Sequence, residues 1–339
     1  MLQNSKDQKS VLWVFLYFTL TLLSWRYASG ALYFLTTPIL CYFSFTGACI
    51  THNSMHRRTF SYANPEILWK HALSLTYGHP VSTFVPGHNL SHHRHTQTAM
   101  DPMRTTKLRF SSNFLNLLFF QPTVAASVFA MDMRYLSLAK HTSDPYFTQC
   151  LNEWLVLGVS QLYLLTLNPY KFLINIYLPH LFAQWGIVSM NYLQHDGTDS
   201  RPDHAINGSR NFTGNLINYL TFNNGYHTIH HFHPTLHWTK LPRAHTYFIS
   251  SKNHPNLNQP CMARYIFSTF IYPGKRVDYM GEPLKLPEPE ADQDWTEEHA
   301  PDGVTLKDYN ITLTGIFKAI ALLPMKFLCP TYSPQFKVD

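Results

Sequence analysis

The chain is poor in charged residues, and its few cysteines follow no pattern. Asp, Glu, Lys and Arg make up 14% of the 339 residues, whereas a soluble domain carries about 25%. The five cysteines include no CxxC pair, which argues against a disulfide framework and a thiolate metal site. No Lys/Arg run is dense enough to follow a phosphate backbone, so nucleic acid is not expected as a partner. HExxH is also absent, which disfavours a zinc hydrolase.

Long apolar runs are present instead. Residues 11–25 and 31–50 contain no charged side chain, and a membrane-spanning helix needs about 20 mostly apolar residues. A second pair of apolar runs covers 154–167 and 172–190. We therefore predict an all-α integral membrane protein with four spans, arranged as two transmembrane helical hairpins at 11–50 and 154–190.

The uncharged stretch 111–130 is a candidate for a fifth crossing. A fifth crossing would place the histidine-rich segments before and after it on opposite sides of the membrane. We therefore predict an interfacial helix there. His180, inside the fourth apolar run, either borders a substrate channel or is an interior histidine with satisfied hydrogen bonds.

Positive charge is concentrated beside the histidine-rich segments. Arg57, Arg58 and Arg94 follow the first hairpin, whereas the predicted outer turns offer only Arg26 and Lys171. The positive-inside rule then places the N-terminus and the histidines in the cytoplasm. Near the other end of the chain, residues 280–309 are rich in Pro, Glu and Asp, which predicts an exposed, extended segment.

Four histidine clusters stand out among the 20 histidines. They occur within 51–110 and 191–260, beside the predicted cytoplasmic ends of the hairpins, and the whole chain, 1–339, is expected to form one domain. The clusters are HNSMH with His52 and His56, HNLSHH with His88, His92 and His93, NYLQH with His195, and HTIHH with His227, His230 and His231.

The spacing of these histidines predicts a metal centre. Residues three or four apart share one face of a helix, so each cluster directs its imidazoles the same way. Nine imidazoles exceed what one ion accepts and divide naturally between two ions in a cytosolic helical cap. Asp101 and Asp196 are candidates to orient imidazoles, and His95 or His233 is an alternative ligand in the second or last cluster.

These clusters resemble the histidine boxes of the membrane fatty acid desaturase and hydroxylase superfamily. HNSMH, HNLSHH and HTIHH match its three boxes in order and position, and NYLQH is similar to its additional NxxxH element. The resemblance implies that all nine histidines bind two Fe²⁺ ions. It also implies that Asn191 holds a water on the metal and that His195 is a ligand.

Two details of the boxes leave the reaction open. The three residues between His88 and His92, together with NYLQH, are similar to alkane ω-hydroxylases. The segment GYHTIHH looks instead like bacterial-type acyl desaturases. We therefore expect desaturation of an acyl chain. The alternative is a di-iron hydroxylase or ketolase of an alkane, fatty acid, sterol or carotenoid.

The resemblance also implies the partners. The substrate would be an acyl-CoA, acyl-ACP or acyl-lipid, oxidised with O2 in the bacterial inner membrane or the endoplasmic reticulum. Because no HPGG motif of a fused cytochrome domain is present, the electron donor would be a separate ferredoxin or cytochrome-b/reductase system. A metal transporter is less expected, because transporters place their ligands near the bilayer midplane.

Overall fold

A computed structural model describes residues 1–142, 144–199 and 201–300 and is mostly helical, with almost no sheet. The described strands are β1, Asn211–Phe212, and β2, Asn258–Gln259, which form a short parallel pair. The predicted all-α class is confirmed by this content.

Helices of three kinds follow one another along the described chain. The α-helices are α1 Gln8–Tyr27, α2 Tyr33–His56, α3 Ala63–Tyr77, α4 His93–His95, α5 Asn113–His141, α6 Pro145–Leu167, α7 Pro169–Phe172, α8 Leu178–His195, α9 Asn215–Leu220, α10 His227–Phe232, α11 Leu241–Phe248 and α12 Met262–Ile266. The π-helical segments are Val85–His92, Leu173–Tyr177 and Phe267–Ile271. The 3-10 helices are Ser5–Asp7, Gly30–Leu32, Val81–Thr83, Thr105–Lys107, Pro202–Asn207, Trp238–Lys240, Pro255–Leu257 and Thr296–His299.

Three described helices are long and apolar enough to cross a membrane: Gly30–His56, Asn113–His141 and Pro145–Leu167. The first and third overlap predicted spans, whereas the second includes most of the stretch 111–130 that was predicted to be interfacial. α1 and α8 were also predicted to span but are not in this group, and both carry polar residues: Lys9 and Arg26 near the ends of α1, and His180 and Gln184 within α8. The four-span arrangement therefore stays a prediction.

The two hairpin turns lie together at one end of the helices. Ser24 Oγ, near the end of α1, donates to Asn175 Oδ1 at 2.5 Å and lies 3.0 Å from Thr36 Oγ1 in α2. Lys171 Nζ donates to the carbonyl of Trp25 at 2.6 Å. From this shared end, α2 and α8 both run towards histidines at their C-termini, so the fold brings His56 and His195 to the opposite end.

Glycines allow close packing between these helices. A Cβ at Gly186 in α8 would lie 2.7 Å from Cδ2 of Phe45 in α2, and one at Gly47 in α2 would lie 2.4 Å from Cγ2 of Thr76 in α3. Because each glycine carries only a hydrogen atom, α2 can lie close to both α8 and α3. This close packing fixes the spacing of the histidines at the C-termini of α2 and α8.

Contacts at the histidine end involve both ends of α5. Near its start, Asn113 Nδ2 donates to the carbonyl of Thr269 at 3.0 Å. Near its end, Tyr135 stacks on Trp295 with ring centroids 5.8 Å apart. Four residues after Trp295, Nε2 of His299 lies 3.3 Å from the guanidinium of Arg94, which directly follows the second histidine cluster. α5 therefore runs along the histidine-bearing layer.

The predicted acidic segment is held to that layer. Residues 280–294 are largely exposed and extended, but Asp292 pairs with Arg104 and Lys107, and Asp294 pairs with Arg134 at 2.6 Å. Trp295 is fully buried, unlike an exposed linker, because its indole packs against α5. Residues 301–309 of the predicted segment lie outside the described residues.

Candidate metal centre

The last turn of α2 directs two imidazoles into the interior. His52 and His56 are four residues apart and therefore share a helix face. Their ring centroids lie 5.2 Å apart, and the ring of His88 lies 4.6 Å from that of His52. The first cluster is thus in contact with the second.

The second cluster is carried by a π-helix, which explains its spacing. In Val85–His92 the backbone is wider than an α-helix, and the N–H of His93 donates to the carbonyl of His88, five residues earlier. His88 and His93 therefore share a face, and their Nε2 atoms lie 3.0 Å apart. His92 points elsewhere, so one short segment supplies imidazoles in two directions.

The C-terminus of α8 and helix α10 complete the arrangement. His195 Nε2 lies 3.2 Å from Nε2 of His92 and 2.9 Å from Nε2 of His227. His227 is also 3.0 Å from Nε2 of His231. His230, on another face of α10, approaches Nε2 of His93 at 3.1 Å.

All nine predicted histidines therefore converge in two groups. Within each group the potential ligand atoms lie within 4.8 Å of one another, and the groups contain imidazoles alone. The first group is His52, His56, His88, His93 and His230, and the second is His92, His195, His227 and His231. The groups adjoin, because the rings of His93 and His231 stack with centroids 4.3 Å apart.

The chemistry of these nitrogens fits metal ions. Burial lowers the pKa of His88, His93, His227, His230 and His231 well below the ordinary imidazole value, and neighbouring imidazoles lower it further. The rings are therefore neutral and present lone pairs, as metal binding requires. In addition, Nε2 of His56 is buried without a hydrogen-bond partner. Neutral imidazoles suit Fe, Cu, Zn and Ni.

Hydrogen bonds from Nδ1 to neighbouring oxygen atoms orient two imidazoles of the second group. His92 Nδ1 lies 2.9 Å from Oδ2 of Asp101, and both side chains are fully buried. His195 Nδ1 lies 3.0 Å from the carbonyl of Gly208. Donation from each Nδ1–H leaves the Nε2 lone pair directed at the centre of the group. Asp101 thus occupies the orienting position predicted for it.

Asp196 does not orient an imidazole, contrary to the prediction. Its carboxylate accepts two hydrogen bonds of 3.1 Å from Arg276 Nε. The reason is local: α8 ends at His195 and the chain turns extended at the next residue, which directs this carboxylate away from the rings. Asp196 instead ties the end of α8 to a later segment.

Two other sequence expectations concern histidines outside the groups. His180 hydrogen-bonds with Tyr17 Oη and lies near the carbonyl of Leu75, both at 3.0 Å, so it is an interior histidine rather than a channel residue. The alternative ligands His95 and His233 fall outside both groups. His95 lies 3.5 Å from Glu298, and His233 is exposed.

A cavity of about 250 Å³ opens beside the histidines. His52, His88 and His227 contribute to its wall, and Asn191 lines it while donating to the carbonyl of Met103 at 3.1 Å. Most of the remaining wall is apolar. Those residues include Phe84, Met103, Val124, Ala125, Val128, Phe129, Ile187, Val188 and Met190.

The cavity also contains polar residues that the sequence reasoning missed. Tyr77, His79, Gln184 and Asp132 line it. The sequence could have indicated Asp132, because it is the only carboxylate in the apolar helix α5. The other three gave no comparable signal, since only the fold shows which face of each helix meets the cavity.

The chain is similar to curated alkane 1-monooxygenases over about half of its length. The curated alkane 1-monooxygenases of Ectopseudomonas oleovorans and Pseudomonas putida are each 26% identical to this chain over 180 and 176 residues, respectively. Each alignment covers 49% of this chain but 41% of the relative, so the chain matches less than half of their length. No solved structure matches.

The family comparison covers much more of the chain. Residues 10–254 match the family described as fatty acid desaturase. This range contains both apolar hairpin regions, all nine converging histidines and the cavity beside them. The chain therefore belongs to the fatty acid desaturase family, as its histidine boxes indicated.

Proposed function

We propose that this protein is a membrane di-iron oxidoreductase that uses O2 to introduce a double bond into an acyl chain. One observation carries the proposal: two groups of neutral imidazoles meet at the wall of a largely apolar cavity. The family match supports a desaturase or hydroxylase. The desaturation outcome follows the likeness of GYHTIHH to acyl desaturases.

The metal supplies what the side chains cannot. Two ferrous ions, held by the five-histidine and four-histidine groups, would activate O2 to remove hydrogen from an unactivated C–H bond. Acid–base side chains alone do not break such a bond, and the described groups contain no carboxylate or thiolate ligand.

The chain's own residues position and shield the substrate. Val124, Val128 and Ile187 present apolar surface to an alkyl segment, while His52 and His88 form the adjacent wall. Holding one methylene next to the centre lowers the barrier by removing translational and rotational freedom. The apolar wall also excludes water from the reacting carbon. Asn191, at the boundary of cavity and metal groups, is proposed to hold a water on the metal.

Hydroxylation is the second candidate. It is favoured by the similarity to alkane 1-monooxygenases and by the spacing of HNLSHH. Both reactions begin with removal of one hydrogen from an unactivated C–H bond and use the same ligands. They differ in whether a second hydrogen leaves or a hydroxyl group is added, so product analysis distinguishes them.

We further propose that electrons arrive from a separate donor, a ferredoxin or a cytochrome-b/reductase system. His93 and His231, one from each group, line a surface cleft of about 300 Å³ that shares none of its described lining residues with the apolar cavity. This cleft would bring a donor close to both ions without crossing the substrate cavity.

The experiment is anaerobic purification with metal counting, followed by lipid and alkane analysis of cells expressing the chain. About two irons per chain and a new double bond would support the proposal. Two irons with an alcohol product would favour the hydroxylase. Zinc with hydrolytic activity, or metal transport without an oxidised product, would contradict both reactions.

A further inference from the structure

A buried carboxyl group stands in the wall of the apolar cavity. Asp132 lies on α5 among apolar residues and is 3% exposed. Its Oδ1 atom has no hydrogen-bond partner. Among the described residues, it forms no ion pair. Leaving such an atom unpaired is unfavourable, so a bound molecule that pairs with it gains affinity.

The position of this carboxyl is defined by its neighbours. A Cβ at Gly87 would lie 3.2 Å from Oδ1 of Asp132 and 3.5 Å from Cγ1 of Val128. Gly87 therefore leaves room for the carboxyl, and it immediately precedes His88 of the first metal group. Asp132 and His88 both line the cavity, so a molecule held at this carboxyl extends along the histidine wall.

The rest of the wall restricts what the carboxyl can bind. Val124, Ala125, Val128 and Phe129 from the same helix provide apolar surface beside it. The polar residues Tyr77 and His79 that share the wall carry no net charge when neutral. No Lys or Arg lines the cavity among the described residues. The site therefore accepts an alkyl chain that carries one polar group, rather than a strongly charged ligand.

We propose that Asp132 is a specificity-determining residue that recognises a hydrogen-bond donor, a hydroxyl or an amide N–H, on the alkyl substrate. A carboxyl group has an oxygen that accepts such a bond whether or not its other oxygen carries a proton. The bond would set which carbon lies beside the first metal group. The inference rests on the proposed function for the reaction, but the binding preference is measurable without turnover.

Two variants separate recognition from folding. Asp132→Asn keeps a carbonyl acceptor of similar shape, whereas Asp132→Leu removes it. Asp294→Asn is the matched control, because that carboxylate pairs with Arg134 outside the cavity. The protein as purified, in detergent and kept free of O2 to prevent turnover, would be titrated with radiolabelled 1-dodecanol, N-dodecyl acetamide, dodecane and dodecyl methyl ether.

We expect the wild type, Asp132→Asn and Asp294→Asn to bind the alcohol and the amide about ten-fold more tightly than Asp132→Leu does, the size of one well-made buried hydrogen bond. Between the wild type and Asp132→Leu, the affinities for dodecane and for the ether, which carry no donor, should differ much less. Preference for one donor over the other identifies a hydroxyl or an amide. An equal effect of Asp132→Leu on donor and non-donor probes, or unchanged affinity of this variant for both donors, would overturn the inference.

Turnover provides a second, independent measurement. With two irons bound, Asp132→Leu should oxidise an alcohol substrate at scattered carbons, whereas the wild type and Asp132→Asn should favour one position. A single product position in Asp132→Leu would contradict the positioning role. Absence of any oxidised product from the wild type would refute the proposed function, while the binding data would still decide the role of Asp132.

Discussion

At the scale of single residues, the main feature of the protein is the placement of nine histidine imidazoles. Each of the nine imidazoles is placed by a specific local structure, such as the i, i+5 geometry that pairs His88 with His93. Asp101 then directs His92 through its Nδ1 atom. Because neighbouring imidazoles contact one another, we expect removal of one imidazole to weaken metal binding by its whole group.

Replacement of His230 with Ala tests the ligand assignment. Its Nε2 lies 3.1 Å from that of His93 in the first group, so we expect the variant to lose iron from that group and to form no detectable product. Insertion into the membrane should be unchanged, since the lost atoms lie outside the long apolar helices. Metal counting and product analysis on purified protein provide the measurement.

His233→Ala is the matched control for that experiment. His233 is three residues further along, exposed, and outside both groups. It should retain wild-type iron content and product. Full iron content and turnover in His230→Ala would contradict the assignment.

At the scale of helices and their connections, close packing determines where the histidine-bearing ends lie. α3 ends at Tyr77, and the next residue, Gly78, has a left-handed φ of +78°; a Cβ there would lie 2.3 Å from Cγ of His180 in α8. α5 contributes differently, because both of its ends contact the histidine-bearing side. This arrangement favours the interfacial placement predicted for 111–130, although the helix is long enough to cross.

Gly78→Ala should destabilise the protein. The left-handed conformation costs a non-glycine residue about 1 kcal/mol, and overpacking against His180 adds about 1–3 kcal/mol. We expect a loss of about 2–4 kcal/mol in the free energy of unfolding, measured as a lower midpoint of thermal unfolding in detergent. Gly158→Ala in α6, where a Cβ meets nothing within 4 Å, should leave the midpoint unchanged or raise it slightly. Equal effects of the two substitutions would contradict this packing argument.

At the scale of the whole molecule, the hairpin turns and the metal groups occupy opposite ends. The N-terminus is on the metal side, since the carbonyl of Met1 accepts from the N–H of Ser61 and Asp7 hydrogen-bonds with His237 at 3.2 Å. The proposed topology then places both hairpin turns outside the cytoplasm and every histidine cluster within it.

Cysteine labelling in intact cells tests this orientation. With Cys261 and Cys329 replaced by Ser, Ser29→Cys reports on the first turn and Glu288→Cys on the metal side, since both positions are exposed. A membrane-impermeant maleimide should label Ser29→Cys in intact cells and Glu288→Cys only after lysis. The reverse pattern would contradict the cytoplasmic placement of the metal centre.

The sequence by itself determined the helical class, the apolar runs and the identity of the nine histidines, because hydropathy and short spacings are local properties that need no knowledge of distant contacts. Only the tertiary structure decided how the nine rings divide into five and four, that Asp196 pairs with Arg276, and that Asp132 faces the cavity. These features depend on which residues far apart in the chain meet, and on a π-helical segment whose wider turn no α-helical spacing predicts.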